Sequence, residues 1–497
     1  MIKKYFKDLI DTFKLKNLIY LTIVNFFLTG ILYQCVRWLI LPIFKDNNLP
    51  ADITQLYTAV IFIPYAFKPV IGILSDLFSI FNYHKKYWII LFTLFSLLLC
   101  VLNLILKNMT IMILTFIVFN FQIAVTDLLT EGSYTKIMKE YPESGSNIVV
   151  FLNFWKNIGQ VVAISFLGVL IDEKLYIIIF TIMGLVSFII FIPTLLNWLK
   201  EEKSDVIFNK DLFLANKSTF SLIFFTGIFS LLISFLSIYL KSYIILIISL
   251  IVLSIIAFCT FLFFDINIFL VILYLMIVKI SKPSLGSAMD YFYTANSKCL
   301  LDGPHFDFKY YITYTGVLGT VIIIITLIFY QLFLSKIKIR KVLIITSLLI
   351  TLSGISDLII VSRYNIRWGI PDNVFYIFGE AIVEKMISTL YLIPINTLIS
   401  KLCKNQMESS TYAFLAGINE LSIFVGKIEG VAIIDLANIK TIVPCDFSNL
   451  WWLIIVCHIL PPIVIGIPSV LLLPNIYENE NIVENEENEA IYEDDLL

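Results

Sequence analysis

A chain of 497 residues that is 59% hydrophobic, only 14% charged and +0.92 in mean hydropathy cannot be a soluble domain, because ordinary ones carry about 25% charged residues. Its net charge of −2 excludes nothing, since placement along the chain matters more than the sum. Seven cysteines without a C-x-x-C pair, and three scattered histidines (His84, His305, His458), give no sign of a zinc or redox site, so no cofactor is expected.

Met1 to Asn17 is basic and amphipathic and runs into a full-length span without a small-residue cleavage site. It reads as a cytosolic stub (1–17) rather than a signal peptide, although a helix lying on the membrane surface fits the same pattern. Hydropathy then predicts spans at 18–41, 53–75, 87–106, 110–135, 147–171 and 174–199, which form a six-helix half, 18–199. A polar linker, 200–218, leads to two spans at 219–240 and 242–264. These carry almost no polar residues, turn tightly at Lys241, and read as an inserted hairpin, 219–266. Spans at 267–291, 309–334, 339–362, 373–400, 410–436 and 449–473 make a second six-helix half, 267–473. The tail, 474–497, is acidic and reads as disordered and cytosolic.

Fourteen spans are expected, each able to cross a bilayer core of roughly 30 Å. Lysine and arginine number 19 in the segments on the N-terminal side of the membrane and 9 opposite. That bias puts both termini in the cytosol. Cys299 and Cys445 both fall in external loops, which leaves a disulfide between them open. Six spans on either side of a linker suggest two repeated halves related by an axis along the membrane normal.

One stretch organises the first half: Pro64-Tyr-Ala-Phe-Lys68-Pro69-Val-Ile-Gly72-Ile-Leu-Ser75-Asp76, ending at Lys85-Lys86. A lysine at mid-span costs about 2.5–3.5 kcal/mol on insertion scales, so it faces a protein interior rather than lipid. Prolines free backbone carbonyls, which is tolerable only where protein or a water-filled cavity receives them.

At these residues the chain resembles the folate–biopterin transporter family, a branch of the major facilitator superfamily. The similarity lies in Pro64, Lys68, Pro69, Gly72, Ser75 and Asp76, followed by Asn82-Tyr83-His84-Lys85-Lys86-Tyr87, where arginine is more usual at the two lysines. It continues in Thr126-Asp127-Leu-Leu-Thr130-Glu131-Gly132, in Glu143 to Asn147, and at Gly159, with Lys156 where some members have arginine. In the second half it is carried by Ser287 to Thr294, Gly303-Pro-x-Phe306, Tyr330-Gln331, Arg340-Lys341, Leu402-Cys403 and Glu408. The resemblance implies an all-α, major-facilitator-like bundle with two extra helices. It also implies uptake of folates, pterins or related aromatic acids by proton symport, as in protozoan folate transporters.

A folate carries two carboxylates, so basic residues inside spans are candidate ligands. Arg37, Lys68 and Lys156 are the first choice for substrate, with Asp290 and the cluster Tyr291, Phe292 and Tyr293 offering a carboxylate edge and rings to a pterin, or serving as ordinary interface anchors at a helix end. Each of the three basic residues could instead pair with an acid that holds helices together. Lys279 and Lys282 precede Pro283 at an expected helix break and read as packing features. Asp127 and Glu131, four apart on one helix face, suit proton coupling, with a structural charge pair as the alternative. Further acids inside spans are Asp290, Asp357, Glu380, Glu384, Glu420 and Glu429. Lys385 is expected to bridge to the Glu380/Glu384 face, and Glu420 and Lys427 to neutralise each other. Gly72, Asp76, Lys85 and Lys86 resemble the superfamily's cytosolic gating loop.

The partners expected are a small organic anion, protons and the lipid bilayer, with no nucleic acid. The plasma membrane is the default address and an organelle membrane stays open. A different organic anion or an amino acid is the alternative cargo. A membrane-embedded transferase would need clustered catalytic residues, which three isolated histidines do not supply.

Overall fold

The computed structural model describes residues 9–140, 142–201, 203–204, 207–215, 217–401 and 408–475. The first eight residues, Leu402-Cys403 and the tail beyond residue 475 lie outside the described residues. So do the side chains of Lys136, Glu143 to Asn147 and Glu408.

Fifteen helices concern the argument: α1 (Leu15–Asp46), α2 (Ala51–Leu77), α3 (Lys86–Leu106), α4 (Met109–Glu140), α5 (Pro142–Asp172), α6 (Tyr176–Leu195), α7 (Lys217–Tyr239), α8 (Ser242–Phe263), α9 (Ile266–Ile280), α10 (Gly286–Tyr293), α11 (Lys309–Leu334), α12 (Ile339–Val361), α13 (372–401), α14 (Glu408–Leu436) and α15 (Leu450–Leu472). Among the described residues, eleven helices are long and apolar enough to cross a membrane. The other three expected spans differ in character. The 267–291 span is two pieces, α9 and α10, broken around Pro283, while α13 and α14 carry several charges.

The chain divides into two compact units, Met1–Ile238 with Phe306–Val317, and Tyr239–His305 with Leu318–Leu497. In the first, α1 and α5 meet backbone to backbone. A Cβ at Gly30 would lie 2.8 Å from the Gly159 Cα, so only glycine permits this approach. Gln122 of α4 accepts hydrogen bonds from Ser96 of α3 (2.6 Å) and Ser187 of α6 (2.9 Å), a polar tie between helices whose apolar faces gain nothing by leaving lipid. Leu9 and Phe13, at the end of the expected stub, are each 1% exposed and pack with Ile148, Phe151 and Leu152 of α5. Asp172 caps the start of α11 by accepting the N–H groups of Phe308 and Lys309 at 2.8 and 2.7 Å.

In the second unit, α12 packs on α13 and α15, and α14 packs on α8 and α9. The break after α9 is held by the Ser284 N–H donating to the Gly426 carbonyl at 3.0 Å, where a Cβ on Gly426 would meet the Lys279 carbonyl at 2.8 Å. Cys299 and Cys445 are joined as a disulfide, with Cα atoms 5.1 Å apart.

Candidate functional site

The site begins with a broken helix. In α2 the regular coil runs from Ala51 to Phe62 and resumes at Pro64. Pro64 and Pro69 have no N–H to give, so carbonyls in the preceding turns lose their partners. The Val60 carbonyl, left by Pro64, accepts instead from the Ile63 N–H at 3.2 Å, and wholly buried Asn120 of α4 donates from Nδ2 to the neighbouring Ile61 carbonyl at 2.8 Å. Protein, as the sequence requires, takes up the freed backbone.

The same α2–α4 contact seats the charges. Lys68 Nζ donates to Asp127 Oδ2 at 2.6 Å, with side chains 17% and 33% exposed. A short charge-assisted bond of this kind is about twice as strong as a neutral one. The ammonium also lies 5.3 Å from the centre of the Tyr65 ring, a cation–π contact. Lys156 of α5 and Glu131, one turn beyond Asp127, complete the group. Asp127 feels both lysines, and Glu131 feels Asp127 and both lysines while bonding to the Tyr134 hydroxyl. Lys156 and Glu131 thus lie within electrostatic reach of the Lys68–Asp127 pair. Lys156 is positioned by the Gly30–Gly159 contact, one turn further along α5.

Arg37, on α1, is exposed, with its guanidinium 5.3 Å from the centre of the adjacent Trp38 ring. It does not join the cluster. Asp290 and Tyr291 lie on α10 in the second unit, and Tyr291 is 3% exposed. The residue that reaches a carboxylate from this helix is Tyr293, whose hydroxyl donates to Asp357 at 2.8 Å. Lys385 bonds Glu384 at 2.8 Å, as the adjoining charges suggest.

At the other end of α2, a Cβ on Gly72 would lie 3.3 Å from Leu128 of α4, so the two helices run close there. Asp76 stands within electrostatic reach of Lys85 and His84, and Lys85 Nζ lies against Gly132 of α4. A residue from the linker completes this loop, and no sequence pattern marks it: Glu201. Its carboxylate accepts the N–H groups of His84, Lys85 and Lys86 at 2.7, 2.8 and 2.9 Å. These are orphan donors at the start of α3, where a negative charge is favoured.

The model of the BT1 family matches residues 2–491. Folate transporter 1 of Plasmodium falciparum (isolate 3D7) is 24% identical over 456 residues, covering 89% of this chain and 77% of the relative. Folate transporter 2 of the same organism is 25% identical over 460 residues, with 92% and 87% covered. Probable folate-biopterin transporter 2 of Arabidopsis thaliana is 32% identical over 143 residues, so the match spans only 28% of that protein and 29% of this chain.

Among solved structures, a POT family transporter in complex with a thioalcohol-conjugated peptide superposes with a TM-score of 0.65 at 14% identity, covering 91% of this chain and 95% of that one. The nucleoside transporter NupG gives 0.58 at 14% identity, with 92% and 99% covered. These likenesses give the fold, the helical bundle of major-facilitator-type transporters. With a family model matched along nearly all its length, the chain belongs to the BT1 family.

Proposed function

We propose that the chain is a secondary active transporter that takes up folates, pterins or related aromatic acids such as p-aminobenzoate, by proton symport with alternating access. Family membership and the names of its relatives support the substrate class. The observation that carries the mechanism is the 2.6 Å pair between Lys68 and Asp127, with Lys156 and Glu131 beside it.

A buried lysine is stable in a membrane protein when paired, and a substrate carboxylate can replace Asp127 as that partner. Protonation of Asp127 or Glu131 frees Lys68 and Lys156 to bind the carboxylates of the cargo. Loss of the proton draws the lysines back to the acids and expels the cargo. Substrate and proton are coupled because the two lysines serve both. In this reading Arg37 adds positive charge on the path, and Asp290 with Tyr291 contacts the ring system in one of the transport states. Gly72, Asp76, Lys85 and Lys86 form the cytosolic gate, with Glu201 holding its backbone in shape. The plasma membrane is the assigned setting, with both termini in the cytosol.

Rescue of a folate-uptake-deficient cell tests the reading. Wild type restores growth on limiting folate, with uptake that rises as external pH falls and stops with a protonophore. Lys68→Ala and Asp127→Asn do not. Rescue that survives both substitutions removes these residues from the mechanism, and uptake indifferent to pH and protonophore removes the coupling.

A further inference from the structure

Three aromatic rings meet beside Lys68 in the first unit. Tyr33 of α1 packs edge-on against Phe62 and Tyr65 of α2, with ring centres 6.1 and 6.2 Å apart and planes at 73° and 85°. Phe62 and Tyr65 lie closer to parallel, at 25° with centres 6.2 Å apart. Together they form a corner, two walls of similar orientation and one across them. Each ring is half-buried, although all three stand within membrane-spanning helices. A corner that only packed would be built as well from phenylalanine, which has no hydroxyl to satisfy.

Cations flank the corner on both helices. Lys68 Nζ sits over the Tyr65 ring, 5.3 Å from its centre, with its side chain 17% exposed. Arg37, one turn beyond Tyr33 on the same face of α1, is exposed. An exposed arginine within a span faces a water-filled path rather than lipid, so this face of α1, Tyr33 included, lines such a path. Both helices are irregular here. The π-helical stretch of α1, Val24–Leu32, ends just before Tyr33, and the coil of α2 breaks between Phe62 and Pro64. π-Helical stretches are rare and gather at functional positions.

We propose that Tyr33, Phe62 and Tyr65 form a ring subsite in the first unit, which takes the flat aromatic ring next to a carboxylate held by Lys68. This rests on the reading of the chain as a transporter of folates, pterins or related aromatic acids. The Lys68 ammonium lies 5.3 Å from the Tyr65 centre. A carboxylate bound there places the ring bonded to it within the about 4.5–7 Å at which aromatic pairs interact. The positive edge of one ring then meets the negative face of another, and the hydroxyls of Tyr33 and Tyr65 serve the polar substituents that such rings carry. The subsite therefore favours an aromatic carboxylic acid over a saturated one of equal charge and similar size.

The test uses the full chain reconstituted in lipid vesicles, with radiolabelled folic acid and p-aminobenzoate as transported probes. Two unlabelled competitors report on the ring: 4-hydroxybenzoate, and 4-hydroxycyclohexanecarboxylate, which has the same charge and no π-system. In the wild type the aromatic competitor is expected to inhibit at about 3- to 10-fold lower concentration, the worth of an aromatic contact. Tyr33→Leu and Tyr65→Leu are each expected to bring that ratio to within about twofold of one. Tyr65→Phe keeps the ring and keeps the preference. A wild-type ratio of one, a ratio that survives in either leucine variant, or its loss in Y65F overturns the subsite and leaves the transport reading standing. Wild-type uptake of neither probe overturns both.

Where a leucine variant takes up neither probe, photolabelling of the wild type decides, with 4-azidobenzoate as the label and excess p-aminobenzoate as the protector. Protected label on the peptides of α1 and α2 that carry Tyr33, Phe62 or Tyr65 supports the subsite. Protected label confined to other peptides, or no protected label, overturns it.

Discussion

Gly30 and Gly159 approach so closely that a Cβ on the first would sit 2.8 Å from the Cα of the second. Neither backbone can yield, so the contact fixes the crossing of α1 and α5, and with it the height of Lys156 one turn away. Gly159→Ala is expected to cost about 1–3 kcal/mol as an overpacking substitution. A lowered melting temperature in detergent, with uptake falling further than protein abundance, checks this. An unchanged melting temperature would show that the crossing has slack.

Glu201 satisfies three N–H groups at the start of α3 with one carboxylate. Glu201→Ala leaves those donors to water or unpaired, at a cost of about 1–3 kcal/mol confined to the loop. Amide hydrogen exchange at residues 84–86 is expected to quicken while α3 itself stays protected. Turnover changes with it, because Lys85 loses its fixed place against Gly132 of α4. Exchange rates equal to wild type would mean that other bonds hold the loop.

Cys299 and Cys445 close a loop with a sequence separation of 146. On the chain-entropy account a loop of this length contributes about 5 kcal/mol. A non-reduced digest should yield the linked peptide pair, and Cys299→Ser should lower the melting temperature to the level of reduced wild type. Free thiols at both positions in protein extracted without reductant would contradict the bridge.

Much of the fold is legible because the bilayer imposes it: long apolar runs, charge bias in the loops, and prolines whose freed carbonyls need a receiver. Lys68 stands out for the same reason, since a cation in an apolar run is costly unless it is held. Its partner is less legible. Asp127 is 59 positions away, and only the packing of α2 on α4 selects it over the other intramembrane acids.

The contact between His458 of α15 and Asp357 of α12 is harder still. The two lie 101 positions apart, and the π-helical turn Ile455–Ile459 that carries His458 has no composition signal. Glu201 looks like an ordinary linker acid until three N–H groups are found pointing at it. The two helices after the linker share a tight turn, yet each packs by its own surface: Gly227 of α7 against Phe67 and Val70 of α2, and α8 against α9 and α14. Loop length says nothing of that choice.

The central claim is that Lys68 exchanges Asp127 for a carboxylate of the cargo. Radiolabelled folate uptake by Lys68→Ala, compared with wild type at equal surface abundance, tests it most directly. Loss of a half-buried charge-assisted bond, worth about 1.5–3 kcal/mol, predicts a fall of about 10- to 150-fold in uptake efficiency. Uptake by Lys68→Ala within twofold of wild type, at the same external pH, would contradict it.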